Sequence, residues 1–411
     1  MLALVPMTVG SAAYADEVDL AKSVFTLDAA TEMAIAASPA LKASAAMLDA
    51  AAGRETQAGL WQNPELEVEV ENFAGSGPYD GTGSAEYFAG VSQKFEIGGK
   101  RGARKDQASL MRAAASLQVK AMRLDIIRNV HIAYEAVLVE QEALRLARLQ
   151  EELAGDVLSI VKKRVAAAAS SEIQLSKAEV AISTAAIARE NAERELAIAK
   201  ASLASLLGLS HLSLTLDSQH FFDLSPPDGL QVYQTRLEGN PNLRAIGMEA
   251  SAEEAGIRLA KAKAIPDPSF RVGVRRFNDT DDSAVIAGAS IPLPVLNRNQ
   301  GGIAEAEALY RRRLQNVEDA KRIAQQQLAE AWQNWRTAYS EASRFQSTLI
   351  PAAEKAYRLS REGFEKGRFP FLEVLDAQRT LFQARAGHHN ALKRYHVSRA
   401  DVERLATSTG D

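Results

Sequence analysis

Asn63-Pro64-Glu65-Leu66-Glu67-Val68-Glu69-Val70-Glu71 is the stretch that decides the fold of this chain. From Glu65 onward, glutamate alternates with an aliphatic residue, which is the two-residue period of a strand with one charged and one apolar face. The preceding residues, 39–62, are rich in alanine and lack this alternation. Pro64 disfavours helical backbone at the residue before it. The stretch therefore predicts a switch from helix to strand.

The same arrangement returns roughly 200 residues later, a period far longer than that of a solenoid repeat. Asn240-Pro241-Asn242-Leu243 begins a helical stretch, as Ser38-Pro39-Ala40-Leu41 does in the first half, and Asp267-Pro268 ends it. A turn rich in Gly, Ser, Asp and Asn and a second strand follow in each half. The predicted strands are residues 65–73, 86–96, 269–277 and 284–293. We interpret residues 16–225 and 226–411 as two copies of one structural repeat.

Very long helices are predicted after each hairpin of strands. Residues 100–165 contain no proline, and large residues recur there at heptad spacing, which is typical of a coiled-coil seam. The seam residues are Leu110, Leu117, Leu124, His131 and Leu138, with Ala114 and Ala121. A return helix is predicted from 171 to 207, with Ile173, Val180 and Ile187 in register. The second half repeats this with helices over 302–350 and 370–405, and Pro351 is expected to kink the first of them.

The strands raise the question of how the chain meets a membrane. Its longest apolar runs fall short of the roughly 18 residues that a spanning helix needs, so any membrane segment must be made of strands. Four strands cannot close a barrel; two copies give a filled eight-stranded barrel, and three give twelve strands around a pore. The predicted fold is mainly α with a small β part: long antiparallel coiled-coil hairpins joined to a 12-stranded transmembrane β-barrel that three chains form together. A half-buried sheet in an α+β protein shows the same alternation.

Composition and the N-terminus bear on the compartment. The formal charge of −4 argues against nucleic acid as a partner, and the absence of cysteine excludes disulfides, thiolate metal sites and a lipid-bearing cysteine. Residues 1–15 are uncharged and end in Ala13-Tyr14-Ala15, which is typical of a secretory signal peptide and its cleavage site. The segment lacks the usual initial Lys or Arg, so we expect it to be truncated. Export from the cytoplasm is predicted.

Three stretches of sequence resemble one known family. They are Asn63-Pro64-Glu65-Leu66, Gln93-Lys94-Phe95-Glu96-Ile97-Gly98-Gly99-Lys100-Arg101, and Phe369-Pro370-Phe371-Leu372-Glu373-Val374-Leu375-Asp376-Ala377-Gln378-Arg379. Together with the duplicated plan, they resemble the TolC-like outer-membrane efflux proteins, and within these the branch that serves cobalt, zinc and cadmium exporters. The resemblance implies a homotrimer in outer-membrane lipid, with a 12-stranded β-barrel and a long trimeric α-helical barrel that extends into the periplasm. It also implies a periplasmic adaptor (a membrane fusion protein), a proton-driven inner-membrane pump of the RND type, and divalent metal cations as cargo.

The ends of the helical hairpins, the tips, are the candidate functional site. The tips are predicted at 166–171 and 366–371, with Ser170, Ser171, Gly367, Arg368, Phe369 and Pro370 as adaptor-contacting residues. Gly367 is expected to adopt left-handed backbone, Ser170 or Ser171 to cap the return helix, and Phe369 and Phe371 to pack the hairpin or narrow the aperture. Family members often have glycine in the first tip, but this chain is alanine-rich there.

Acidic residues beside the tips have two interpretations. Glu172, Glu373 and Asp376 lie just inside them, and the resemblance assigns matching acids to a periplasmic constriction. In a trimer each carboxylate becomes a ring that attracts cations. The plainer interpretation is that they complement helix dipoles. The lumen-facing strand residues are predicted to be Glu65, Glu67, Glu69, Arg271 and Arg275.

Other sites are not indicated by the sequence. His388 and His389 are adjacent, and His396 has no carboxylate at ligand spacing, so we interpret all three as surface or interface residues. No metal site, cofactor or catalytic function is predicted. Two alternatives to a metal-export duct stay open: a duct for drugs or for polypeptides of type I secretion, and a non-conducting periplasmic coiled-coil scaffold.

Overall fold

The computed structural model describes residues 24–219 and 221–408, so the predicted signal peptide, residues 1–15, lies outside the described residues. The chain divides into two compact units. We call them the tip unit, which contains both tips, and the sheet unit, which contains all four described strands. Of the described residues, the tip unit comprises 24–38, 126–219, 221–227 and 333–400, and the sheet unit comprises 39–125, 228–332 and 401–408.

The sheet unit contains a four-stranded antiparallel sheet with strand order β1-β2-β3-β4. The strands are β1 (Glu65–Glu71), β2 (Glu86–Lys94), β3 (Ser269–Phe277) and β4 (Ser283–Ser290). Three of them end two or three residues earlier than predicted. Asn72 has a left-handed φ of 58°, which ends β1. Pro292 and Pro294 follow β4 and lack the N–H that a ladder needs.

Helices form the rest of the described fold. They are α1 (Leu27–Ala37), α2 (Pro39–Ala58), α3 (Lys100–Ala166), α4 (Glu172–Leu207), α5 (Leu230–Leu237), α6 (Pro241–Lys263), α7 (Gln300–Arg344), α8 (Ile350–Glu365) and α9 (Phe371–Ala406). The return helices α4 and α9 both contain 36 residues. Among the described residues, none of these helices is long and apolar enough to cross a membrane.

A wider helical turn directly precedes Pro351, where the sequence predicts a kink. Phe345–Leu349 form a five-residue π-helix between α7 and α8, and Pro351 lies at the start of α8. Because proline has no N–H, it cannot continue the α-helical hydrogen bonds, and a π-turn is one local way to accommodate that break.

The core of the tip unit is built around Tyr134 on α3. Its hydroxyl donates to the carbonyl of Phe25 over 2.6 Å and accepts from the amide of Asp217 over 2.8 Å. Val130, Val137 and Leu138 of the same helix belong to this core, so the α3 seam predicted at Leu138 is confirmed there. One helix therefore ties the chain's first described segment to the loop after α4.

The predicted seam on α4 is not buried within the single chain. Ile173, Val180 and Ile187 are 68 %, 66 % and 60 % exposed in the single chain, whereas Ala178 and Ala185 are buried. Small side chains let neighbouring helices approach closely. The large heptad residues are left on the opposite side of α4 as an apolar stripe.

A surface position is wrong for two of the three histidines, His388 and His396, and the interface alternative stays a prediction. His388 and His396 are both 8 % exposed within the tip unit. The ring of His396 stacks on Phe221, and its Nε2 lies 3.1 Å from the Phe221 carbonyl oxygen. Burial lowers the pKa of His396 to about 4, and it raises the pKa of the neighbouring Glu135 to about 7. His396 is therefore a neutral core residue at neutral pH.

Candidate functional site

The first tip closes with a Schellman motif at the end of α3. The amide of Ala169 donates to the Arg164 carbonyl over 2.8 Å, and the amide of Ala168 donates to the Val165 carbonyl over 2.9 Å. Ala168 adopts a left-handed φ of 52°. The family's usual glycine is absent, but the conformation that favours glycine is kept.

The second tip closes with the same motif at the end of α8. The amide of Arg368 donates to the Gly363 carbonyl over 2.7 Å, and that of Gly367 donates to the Phe364 carbonyl over 2.9 Å. Gly367 has a φ of 70°, as predicted. The two tips differ in strain, because an L-residue such as Ala168 is disfavoured in the conformation that Gly367 adopts freely.

Replacing Ala168 by glycine is expected to stabilise the first tip by about 0.5–1 kcal/mol, since the steric cost of left-handed alanine exceeds the extra chain entropy of glycine. The measurement is amide hydrogen exchange at Ala169, whose hydrogen bond closes the turn. Ala167→Gly is the matched control, because Ala167 has no positive φ and should only lose stability. Equal effects of the two substitutions would contradict the strain argument.

Arg164 connects the two tips, and sequence reasoning missed it. Its Nη1 donates to the carbonyl of Phe364 in the second tip over 3.1 Å, and its guanidinium lies 4.8 Å from the centre of the Phe364 ring. Its Nε donates to the hydroxyl of Ser170 over 3.1 Å. Charge-assisted bonds to two turns hold them together. The available signal was a basic residue in the last turn of α3, where free carbonyls attract cations.

The tip residues predicted to contact an adaptor have distinct environments. Ser171 occupies the N-cap position of α4 but its side chain makes no capping bond, so the predicted cap is not formed. Phe371 is buried and packs against Phe364 at 5.5 Å between ring centres. Phe369 lies over Gly363, where an added Cβ would be 2.1 Å from its ring, yet 48 % of Phe369 stays exposed. Ser171, Gly367, Arg368, Phe369 and Pro370 are exposed and available to a partner.

The three predicted constriction acids are exposed carboxylates near helix starts. Glu172 and Glu373 lie in the first turns of α4 and α9. Asp376 lies one turn further along α9 and pairs with Arg379 at 2.8 Å, a partner that the sequence reasoning did not weigh. Such exposed ion pairs are weak, so Arg379 offsets little of the attraction that the Asp376 carboxylate exerts on cations in the surrounding water.

The charged face of the sheet carries ion pairs that join side chains of neighbouring strands. Arg271 lies 3.5 Å from Glu67 and 3.7 Å from Glu69, measured between guanidinium and carboxylate. Arg275 lies 3.1 Å from Glu71 and 2.9 Å from Glu86. The predicted charged residues therefore share one face. The opposite face is apolar and uncovered, with Leu66 76 % exposed.

One aromatic ring lies flat within the charged face. Phe88 is buried because its ring rests on Gly90 and Gly273, the directly paired glycines of β2 and β3. Arg271 covers it, with the guanidinium carbon 5.1 Å from the ring centre. Glycine is required at both positions because an added Cβ would lie 2.5 Å from the ring.

The described residues contain no group of three or more histidine and acidic side chains placed to hold a metal ion. The arrangement instead offers charged, solvent-accessible surfaces. These surfaces suit weak attraction of ions.

The family model for outer membrane efflux proteins matches this chain twice, over residues 30–209 and 232–410. The chain belongs to the outer membrane efflux protein family. It is an outer membrane efflux channel of the TolC type. The channel has a helical periplasmic extension and is located in the outer membrane of a Gram-negative bacterium. The predicted family and location are confirmed, and no catalytic family is indicated.

Two curated relatives are resistance proteins of Cupriavidus metallidurans. The cobalt-zinc-cadmium resistance protein CzcC is 29 % identical over 384 residues, covering 92 % of this chain and 89 % of the relative. The nickel and cobalt resistance protein CnrC is 29 % identical over 306 residues, covering 72 % and 70 %.

Solved structures share the fold. A crystal structure of CusC, from work on its folding and transmembrane channel formation, superposes with a TM-score of 0.77 at 19 % identity. The match covers 93 % of this chain and 92 % of the CusC chain. VceC of Vibrio cholerae gives a TM-score of 0.78 at 19 % identity over 94 % and 97 %. The mainly helical fold with a small antiparallel sheet is thus that of outer membrane channels.

Proposed function

We propose that three copies of this chain form a passive export duct for divalent heavy-metal cations, with a 12-stranded barrel in the outer membrane and a barrel of helices in the periplasm. The observation that carries the proposal is the sheet, which has one apolar uncovered face, one charged face and two free edges, β1 and β4. In lipid, the backbone groups of such edges need partners, and further copies of the same sheet supply them. Residues 16–225 and 226–411 act as the two structural repeats of each subunit.

The charged face supports conduction of cations. It carries Glu65, Glu67, Glu69, Glu71 and Glu86, against which Arg271 and Arg275 are the paired cations. The excess of carboxylates on this face gives a lumen lined by it a negative potential. Metal cargo is further supported by the resistance functions named for CzcC and CnrC.

The tips are the proposed contact with a periplasmic adaptor that is itself bound to an RND-type inner-membrane pump. Ser170, Ser171, Gly367, Arg368, Phe369 and Pro370 form this surface. Glu172, Glu373 and Asp376 form the proposed constriction, where threefold symmetry turns each carboxylate into a ring. The exposure of all three acids supports this role.

Two other functions compete with this one. A duct for pyoverdine is favoured by the name of a relative, the pyoverdine export outer membrane protein OpmQ of Pseudomonas putida, which is 26 % identical over 87 % of this chain. A non-conducting scaffold is disfavoured by the uncovered apolar face, because a scaffold in water has no use for it. Resistance to washing with salt separates an integral duct from a scaffold.

The test is ion selectivity of the purified chain in planar bilayers. Replacing Glu373 by glutamine and Asp376 by asparagine together is expected to reduce cation selectivity and to raise the half-blocking concentration of Zn²⁺ roughly tenfold, because two carboxylate rings are neutralised. Reversal potentials in a salt gradient report the first effect and current titrations the second.

Asp319→Asn is the matched control, since Asp319 pairs with Arg322 three residues away as Asp376 does with Arg379. Its selectivity should equal that of the unchanged chain. Identical currents from the double variant and the control would remove the constriction from the proposal, and a trimer that never conducts would remove the duct.

A further inference from the structure

One end of the sheet carries a belt of exposed apolar side chains. The register pairs Lys94 with Ser269 and Ser269 with Ser290, so β2 ends, β3 begins and β4 ends at the same level as the start of β1. This is the end at which the strands join the long helices. The exposed apolar residues that flank it are Leu60, Trp61, Phe95, Ile265, Leu293 and Leu296.

A cationic groove lies beside this belt in the sheet unit. Its lining includes Arg54, Leu60, Trp61, Glu96 and Arg104. The guanidinium of Arg101 lies 4.2 Å from the centre of the Trp61 ring, a cation–π contact that leaves the indole 55 % exposed.

The carboxylate that lines the groove, that of Glu96, is already paired with an arginine. Arg104 makes two bonds to Glu96, at 2.7 and 3.0 Å, and these lower the pKa of the Glu96 carboxyl. Arg112 pairs with Glu55 at 3.1 Å.

Two cations at the groove have no such partner. Within residues 24–219 and 221–408, neither Arg54 nor Arg101 lies within salt-bridge distance of a carboxylate. The groove is therefore lined by one guanidinium group without a carboxylate partner, that of Arg54, and a second, that of Arg101, lies on the exposed ring of the lining residue Trp61.

We propose that this groove binds the phosphate headgroup of an anionic phospholipid from the periplasmic leaflet of the outer membrane. Arg54 and Arg101 contact the phosphate, since guanidinium matches phosphate in geometry and charge. Trp61 lies at the polar–apolar boundary, where amphipathic rings concentrate. The inference uses the membrane placement of the sheet proposed above and is independent of the cargo.

A lipid fits this groove better than a free phosphate ion because of what adjoins it. Five residues beyond Trp61 the chain reaches Leu66, the first outward apolar residue of β1, and an extended chain covers this distance at about 3.3 Å per residue. Acyl chains can thus lie along Leu66 and Val68, both exposed, while the headgroup remains with the arginines. Phosphate alone leaves this apolar surface uncovered.

The test is lipid titration of the full-length, delipidated protein, followed by native mass spectrometry. Dioleoylphosphatidylglycerol is expected to bind about tenfold more tightly than dioleoylphosphatidylcholine. Arg54→Gln with Arg101→Gln should abolish that preference. Arg112→Gln is the matched control on α3, because Arg112 is already paired with Glu55 and should keep the preference.

Three outcomes would overturn the proposal: equal binding of the two lipids, an unchanged preference in the double variant, or full displacement of phosphatidylglycerol by inorganic phosphate. A double variant that loses its trimeric mass while keeping the lipid preference would assign the groove to a contact between copies instead. Bilayer conductance of the unchanged chain separates the two proposals. A conducting protein without lipid preference removes only the lipid site, whereas a lipid-selective protein that never conducts removes only the duct.

Discussion

Replacing Lys100 by alanine is expected to lower the free energy of unfolding by about 3–5 kcal/mol, the largest effect of any single change considered for the sheet unit. Lys100 and Asp267 form an ion pair of 2.6 Å with side chains only 9 % and 8 % exposed. The ammonium group also donates to the Ile265 carbonyl, and Asp267 accepts from the amide of Ile97 over 3.0 Å. Removing Lys100 leaves a buried carboxylate without its main partner.

The pH dependence of this effect has a definite sign. Burial alone raises the pKa of Asp267, but hydrogen bonds from Lys100 and Ile97 and the charges of Lys100 and Lys94 outweigh burial and lower it. A carboxyl whose folded pKa is depressed stabilises the fold above its unfolded pKa, near 3.9, and loses that contribution as pH falls through the folded pKa. The deficit of the Lys100→Ala variant should therefore be full at neutral pH and shrink below about pH 4.

Guanidinium unfolding in detergent, followed by tryptophan fluorescence, measures both effects. Arg322→Ala is the control, because its 3.1 Å pair with Asp319 is exposed and should be worth less than about 1 kcal/mol. The double variant Lys100→Met, Asp267→Leu should be less destabilised than Lys100→Ala, since no charge remains buried. A deficit as small as that of the control would show that the pair contributes little.

Replacing Gly273 by alanine is expected to separate β2 from β3 and to lower the unfolding free energy by about 1–3 kcal/mol or more. The added Cβ would lie 2.5 Å from the Phe88 ring and 2.6 Å from the carbonyl oxygen of Ala89, and the backbone atom cannot rotate away. Displacing Phe88 also removes the surface on which Arg271 rests.

Gly288→Ala is the matched control for this change. Gly288 lies on β4, paired with Arg271, and an added Cβ there meets only that side chain, at 4.0 Å. Hydrogen exchange of the β2 and β3 amides should rise in the Gly273 variant and stay unchanged in the Gly288 variant. Equal exchange in both would mean that the sheet accommodates the methyl group.

The sequence was sufficient for the elements that depend on period and punctuation. The Glu-Leu-Glu-Val alternation specified β1 because strand side chains alternate strictly, and Asp267-Pro268 marked the start of β3 because proline ends a helix. A glycine just beyond the end of α8, Gly367, predicted the left-handed backbone that closes the second tip. The length of α3 followed from the absence of proline over residues 100–165.

What the sequence concealed depends on tertiary packing. Heptad spacing placed Ile173, Val180 and Ile187 on one face of α4, but only neighbouring helices decide which face is buried. Within the single chain the buried face is the one that carries the alanines. The burial of His396 depends on the loop residue Phe221, which is 175 positions away. Arg164 and Phe364 are separated by 200 positions, so no local pattern joins them. The pair of Asp376 and Arg379 is different, because a spacing of three residues places both side chains on one helical face and is visible in the sequence.

The matched lengths of two helical segments, α3 and the segment from α7 to α8, constrain how this protein can change in evolution. We call these two segments the arms. The arm from Lys100 to Ala166 has 67 residues, and the arm from Gln300 to Glu365 has 66 when its π-turn is included. Arg164 can bond both turns only while the end of α3 and the end of α8 stay side by side. A single-residue insertion in one arm rotates its turn by about 100° and advances it by about 1.5 Å. Lineages that lengthen or shorten these helices are therefore expected to do so by paired insertions or deletions of whole heptads in both.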